Sequence, residues 1–283
     1  CQGAGKVTYA ATATNSTSIS YSLDAASQAG NNSINSLTGE VTFDANWYGN
    51  TIITTSATAF CSNTTTADHT VTINPLPIAS AGGSQTICSN GTGTVSGASA
   101  ENGTISWTHD GSGSLSDGTS LTPTYTAASG DAGKTVTLTM TVLTSYANCS
   151  GATATATYTI NVNPLPAAPT AGNVTVTYDG TSHTGAATAP EGSSVVWYDA
   201  PTGGNITVAP MGTNVGTYSA WAESQSDITP THCTSAARTQ VSVTINKKDL
   251  SVTATGSTKE YGTALTAGTS ATNFTFSGTV GSE

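Results

Sequence analysis

The chain has 283 residues, only six Lys and Arg against sixteen Asp and Glu, and a net charge of −10. So few cations cannot neutralise a run of phosphates or hold an anionic bilayer, which excludes nucleic acid and charge-driven membrane adhesion. No run of eighteen apolar residues occurs, so no membrane insertion is encoded in this segment.

The apolar residues are patterned, which argues for folding in a chain so rich in Thr, Ser, Ala and Gly. Residues 9–13 read as a strand, and Ile19 and Tyr21 share one face of the next by period two. Residues 37–43 and 51–55 follow as strands, and residues 69–74 close the first unit. There the chain meets Asn74-Pro75-Leu76-Pro77, which recurs as Asn163-Pro164-Leu165-Pro166. Proline fixes φ and lacks an N–H, so Pro-x-Pro ends a strand and passes the chain on as a short stiff joint.

The second unit opens at Gln85-Thr86-Ile87-Cys88, and Ile105-Ser106-Trp107 repeats the apolar-x-aromatic pattern. Val136, Leu138, Met140 and Val142 alternate with Thr137, Thr139 and Thr141. Ala154, Ala156, Tyr158, Ile160 and Val162 alternate with Thr155, Thr157, Thr159 and Asn161. These are half-buried strands with Thr outward, where a branched Cβ suits extended backbone. In the third unit Val195-Val196-Trp197 matches residues 105–107. Asn214-Val215-Gly216-Thr217-Tyr218 has the form of a tyrosine corner, whose phenol bonds back to the corner backbone. Turn dipeptides such as Asp110-Gly111 and Asp179-Gly180 recur every 8 to 12 positions, and no segment has helical periodicity.

The fold class is therefore all-β: tandem immunoglobulin-like antiparallel β-sandwiches in an extended rod. The expected domains are residues 1–76, 77–165 and 166–246, with residues 247–283 the start of a fourth. Three and a half such units in line would span on the order of 130 Å. The last piece is under half a unit, so the parent chain is expected to continue and this tail to be disordered or to pack on a neighbouring molecule.

Five cysteines carry the chemistry. Sixty residues part Cys1 from Cys61 and sixty-one part Cys88 from Cys149. The spacing predicts two bridges inside single units, each closing a loop that stabilises by about 4 kcal/mol on the chain-entropy model. Bridges imply an oxidising, extracytoplasmic setting. Cys233 stands thirteen residues before Asn246, as Cys61 stands before Asn74, but its expected partner is missing, which predicts a free thiol. No Cys-x-x-Cys pair occurs, so metal ligation by cysteine is disfavoured.

Asn-Pro-Leu-Pro followed by Ala81-Gly82-Gly83-Ser84-Gln85-Thr86-Ile87-Cys88 resembles the PKD-like and immunoglobulin-like repeats of giant Bacteroidetes surface proteins. The nearest resemblance is to gliding-motility adhesins of the SprB type. Residues 196–204, Val-Trp-Tyr-Asp-Ala-Pro-Thr-Gly-Gly, are similar to another such repeat. Lys248-Asp249-Leu250-Ser251 with Lys259-Glu260-Tyr261-Gly262 resembles the start of an MBG-type repeat. The resemblance implies a cell-surface adhesin exported by the type IX system and displayed on the outer membrane, with neighbouring repeats as partners and no catalytic residues.

Two functions from different classes follow. One is a mechanical stalk. The other is a carbohydrate-binding module that grips surface polysaccharide through Trp47, Tyr48, Tyr198 and Trp221, the aromatics least bound to the core pattern. Tyr21, Trp107 and Trp197 read as core. No cofactor is expected. Asp110, Asp117 and Asp131 are the only candidates for Ca²⁺, and no Asp-x-Asp-x-Asp-Gly loop organises them. His69, His109, His183 and His232 lie in different units or turns, so no enzyme activity is expected.

Overall fold

The computed structural model describes residues 1–61, 63–229, 231–254, 261–262 and 274–280. It is an all-β tandem of sandwiches, and its contacts divide it into Cys1–Val162 and Asn163–Glu283. Cys1–Val162 holds two separate cores and hence two sandwiches.

Sandwich 1 is built from β1 (Lys6–Thr8), β2 (Ser16–Leu23), β3 (Ser33–Ile34), β4 (Glu40–Thr42), β5 (Gly49–Ala59) and β6 (Thr64–Ile73). Its sheets run β1-β4-β3 and β2-β5-β6. Tyr21, Leu23, Val41, Phe43, Ile53 and Ile73 fill the space between them. Residues 9–13, expected as a strand, carry no ladder. The one α-helix among the described residues, α1 (Ala25–Ala29), was not anticipated. Asp24 caps it, accepting from the Ser27 amide at 2.9 Å, the Ser27 hydroxyl at 2.6 Å and the Ile52 amide at 2.7 Å. The Ser27 hydroxyl is foremost in holding the Asp24 carboxyl down at about 2.

Sandwich 2 contains β7 (Ile78–Ser80), β8 (Ser84–Cys88), β9 (Thr92–Thr94), β10 (Ser99–Glu101), β11 (Gly103–His109) and β12 (Ser114–Ser116). It continues through β13 (Thr124–Thr126), β14 (Thr135–Thr144) and β15 (Thr153–Asn163). The main sheet runs β11-β14-β15-β8, faced by β12-β13-β9, with β7 paired to β10 at the side. The alternation read from residues 136–142 holds: Val136, Leu138, Met140 and Val142 are all buried, with the intervening Thr half exposed.

Deep in this core the Tyr125 hydroxyl donates to Asp131 Oδ2 at 2.7 Å and accepts the Gly113 amide at 2.8 Å. Asp131 also takes the Ala128 amide at 2.9 Å and the Ser112 amide at 2.6 Å. Gly111 and Gly113 let the chain close over the phenol; a Cβ at Gly111 would stand 2.1 Å from its oxygen. Asp131 thus spends its lone pairs inside the fold. Asp110 accepts the Thr137 amide at 2.7 Å, and Asp117 sits in a left-handed turn at φ 54°. The carboxylates of Asp110 and Asp131 thus act as turn residues bonding backbone.

Asn163–Glu283 holds sandwich 3, with β16 (Thr170–Gly172), β17 (Val174–Thr177), β18 (His183–Thr184), β19 (Ala186–Thr188) and β20 (Ser193–Tyr198). Then come β21 (Met211–Gly212), β22 (Gly216–Ser226) and β23 (Thr239–Asn246). The main sheet runs β17-β23-β22-β20, and β17 lies parallel to β23. The Tyr218 hydroxyl donates to the Asn214 carbonyl at 3.2 Å, the bond of a tyrosine corner. Within the tail, β24 (Ser251–Ala254) and β25 (Phe274–Ser277) pair as an antiparallel ladder, while residues 255–260, 263–273 and 281–283, on which the expectation of disorder also falls, lie outside the described residues. Lys259 and Glu260, part of the MBG-like motif, lie outside the described residues.

The cysteine pairing differs from the sequence reading. Cys1 bonds Cys149, across sandwiches 1 and 2, with Cα atoms 5.4 Å apart. Cys61 is a free, exposed thiol. Cys88 is disulfide-bonded, and so is Cys233, which is buried and not free. The near-equal spacings mark the period of the repeat, which fixes where cysteines recur without fixing which of them meet. Iodoacetamide applied to the native, unreduced protein should label Cys61 alone, and a non-reducing digest should yield a peptide linking Cys1 to Cys149; a Cys1–Cys61 peptide would refute this pairing.

Candidate functional site

The Asn74-Pro75-Leu76-Pro77 joint is held from both sides. From sandwich 1, the Gln2 amide donates to the Asn74 carbonyl at 2.8 Å. The Gln2 side chain accepts the Leu76 amide at 3.2 Å and donates to the Asn46 carbonyl at 3.2 Å. From sandwich 2, Asn102 Nδ2 donates to the Leu76 carbonyl at 3.0 Å. Asn74 Nδ2 donates to Asn148 Oδ1 at 2.6 Å, one residue from the bridge at Cys149. Asn102 has φ 62°, a turn conformation that asparagine tolerates, and this aims its amide at the joint.

Each element has a local cause. Proline removes two N–H groups, so the joint has few donors of its own and takes its bonds from neighbours. Cys149 ends a short 3₁₀ turn, Ala147–Cys149, in the loop between β14 and β15, and is buried. A bridge spanning 148 residues stabilises by about 5 kcal/mol on the chain-entropy model. The arrangement can resist bending and separation of two sandwiches. Sequence reasoning found the Pro-Leu-Pro joint but missed Gln2, Asn102 and Asn148; only the recurrence of Asn beside each joint hinted at side-chain bracing.

The four aromatic candidates do not form one site. Trp47 is half-buried against the sandwich 1 core, stacks on Gly30 and donates from Nε1 to Thr51 Oγ1 at 3.0 Å. Tyr48 next to it is 60% exposed. In sandwich 3, Tyr198 and Trp221 are cross-strand partners. The Arg238 guanidinium lies 3.3 Å over the Tyr198 ring and donates to the carbonyls of Ala200 at 3.0 Å and Gly203 at 2.6 Å. Arg238 Nε also meets Glu223 at 3.3 Å. One face of Tyr198 is thus already covered by a cation–π contact. A groove of about 360 Å³ beside it is lined by Pro201, Thr202, Gly203, Glu223 and residues 236–238.

One triple has the residue types of a hydrolase. Asp179 Oδ1 accepts the Thr181 amide at 2.9 Å and hydroxyl at 2.8 Å, and meets His183 Nε2 at 3.0 Å. A relay needs the two imidazole nitrogens to serve different partners. Here Thr181 and Asp179 both face Nε2, so the set is a capped turn. The Thr181 amide leads the contacts that hold Asp179 at about 2. Among the described residues no three His, Cys, Asp or Glu side chains gather as a metal site, and no helix is long and apolar enough to cross a membrane.

No protein family matches the chain, and no curated protein does. Solved structures do show likeness. Human CDH23 EC21-23 aligns at 14% identity and TM-score 0.40, covering 80% of this chain and 88% of that one. Titin domains I67-I69 align at 10% identity and TM-score 0.36, covering 82% and 88%. Drosophila N-cadherin EC1-4 aligns at 14% and 0.32, covering 82% and 66%. At these scores the likeness goes no further than strand-rich tandem architecture, which the chain's own sheets already establish.

Proposed function

We propose that this chain is a force-bearing repeat segment of a large secreted cell-surface adhesin that serves gliding motility and surface attachment. The observation that carries the reading is the joint: two proline-linked sandwiches are bolted by the Cys1–Cys149 bridge and by side-chain bonds from Gln2, Asn102 and Asn148. Bonds of this kind limit motion between neighbouring sandwiches. The disulfides support an oxidising, extracellular location. Display on an outer membrane and export by the type IX route rest on the repeat resemblance. The domain limits at 76, 165 and 246 belong to the same reading.

The test is attachment under flow by cells carrying the full-length protein with Cys149→Ser. Static attachment should be unchanged, while detachment under flow should be several-fold faster. Equal loss in both settings would point to a binding role, and no loss in either would refute the stalk.

Tyr48, with most of its ring open to solvent, keeps the polysaccharide reading alive. On a glycan array the segment should give no saturable signal; saturable binding abolished by Tyr48→Ala or Trp221→Ala would replace the stalk with the binding module.

A further inference from the structure

β17 runs parallel to β23 and β23 antiparallel to β22, so three strand termini meet at one end of the main sheet of sandwich 3. Tyr178 follows β17, Val215 precedes β22, and Lys247 and Lys248 follow β23. The tail supplies the facing wall. In its ladder Val252 stands opposite Phe276, and Ala254 opposite Phe274. Period two puts Leu250 on that same face, and Ser251, Thr253, Thr275 and Ser277 on the other. The ladder is therefore amphipathic, yet its apolar face is open: Leu250 is 61% exposed and Phe276 is 62% exposed. A two-stranded ladder gains little stability until such a face is covered.

Between these walls lies a groove of about 720 Å³, lined by Tyr178, Val215, Lys247, Lys248, Leu250 and Phe276, with residues 278–280. Gly180 lets the turn after Tyr178 close on Val280; a Cβ there would stand 2.7 Å from Val280 Cγ1. The volume is that of a small-molecule site, and the lining has the usual mixture, apolar with a few polar groups.

Charge indicates the occupant. The chain carries a net −10, so two adjacent cations are uncommon on its surface. Among the described residues Lys6 is paired with Glu40 and Arg238 with Glu223, whereas Lys247 and Lys248 enter no ion pair. The neighbouring carboxylate, Asp249, does not line the groove. A neutral hydrophobe would leave these two ammonium groups unused, and a small inorganic anion would leave Leu250 and Phe276 wet. A ligand with an anionic head and an apolar body answers both. We propose that this groove binds an anionic amphiphile of small-molecule size, its head against Lys247 and Lys248 and its body against Val215, Leu250 and Phe276. This would be a ligand-binding function beside the stalk role and does not depend on it.

Decanoate is the probe, titrated below its micelle concentration into the whole chain while the methyl resonances of Val215, Leu250 and Val280 are followed. These should shift together and saturate, with sandwiches 1 and 2 unmoved. Decanol should bind at least about fivefold more weakly, and so should decanoate to the Lys247→Gln, Lys248→Gln double variant, which keeps the apolar walls. Butyrate, with the head but little body, should give no saturating shift. Failure of decanoate to saturate, equal binding of decanol, or full binding by the double variant would overturn the proposal. So would shifts at these methyls that follow protein concentration with no probe added, which would make a second copy the occupant. Tighter binding of a glutamate-rich peptide than of decanoate would likewise overturn it, in favour of an acidic protein partner.

Discussion

Pulled by its ends with Cys1 and Cys149 as the only cysteines, the reduced chain should extend roughly 500 Å further than the oxidised one. Force entering at Cys1 leaves through the sulfur atoms to Cys149, so the residues between them carry no tension while the bond holds. The separation of 148 residues, at about 3.5 Å each, sets that length. The other cysteines are replaced by serine in this test because a second bridge would shorten the path independently. Reduction should also lower the stability of the joined sandwiches by about 5 kcal/mol, a large share of what a small domain has. Equal extensions before and after reductant would show that the bridge does not span these sandwiches.

The second large effect is expected at Asp131. Replacing it by Ala orphans the Tyr125 hydroxyl and the amides of Ser112 and Ala128 in a closed core. Three lost acceptor contacts should cost sandwich 2 about 3–5 kcal/mol, read as faster exchange throughout β14 and β15. The pH dependence follows the same contacts. Burial alone would raise the carboxyl of Asp131, but the amides of Ala128 and Ser112 and the Tyr125 hydroxyl outweigh it and hold it at about 2. A depressed folded value means this stabilisation is complete above the ordinary carboxylate range. It is lost as pH falls through about 2, a change of about 2 kcal/mol. Burial first, then Asp131, push Tyr125 up to about 12, so its contribution holds below 10 and is lost as pH rises from there to about 12. Asp131→Asn should remove the acid limb; an unchanged acid profile in that variant would assign the limb elsewhere.

Much of the fold was legible because sheet burial writes itself into the chain with period two. Val136 to Val142 could only face one way without burying threonines, and Tyr218 announced its corner by the residues ahead of it. The cysteine pairing was not legible, since in a repeat protein equal spacing is satisfied by pairing within a unit and by pairing across neighbours alike. Nor was the role of Asp131, which looks like any other turn aspartate until Tyr125, six residues away, is folded onto it. Tyr198 had the signature of an open aromatic; the residue that covers it, Arg238, is forty positions on and reaches it only through the pairing of β20 with β22 and β22 with β23.

The parallel contact of β17 with β23 matters beyond topology. Val174 to Thr177 face Val243 to Asn246 in step, and these are the first and last strands of the main sheet in chain order. Tension drawing the two strand ends in opposite directions loads every rung of that ladder in shear at once. An antiparallel hairpin pulled from its open end breaks one rung at a time, like a zipper. Sandwich 3 therefore meets such stretching with the four rungs of this ladder acting together.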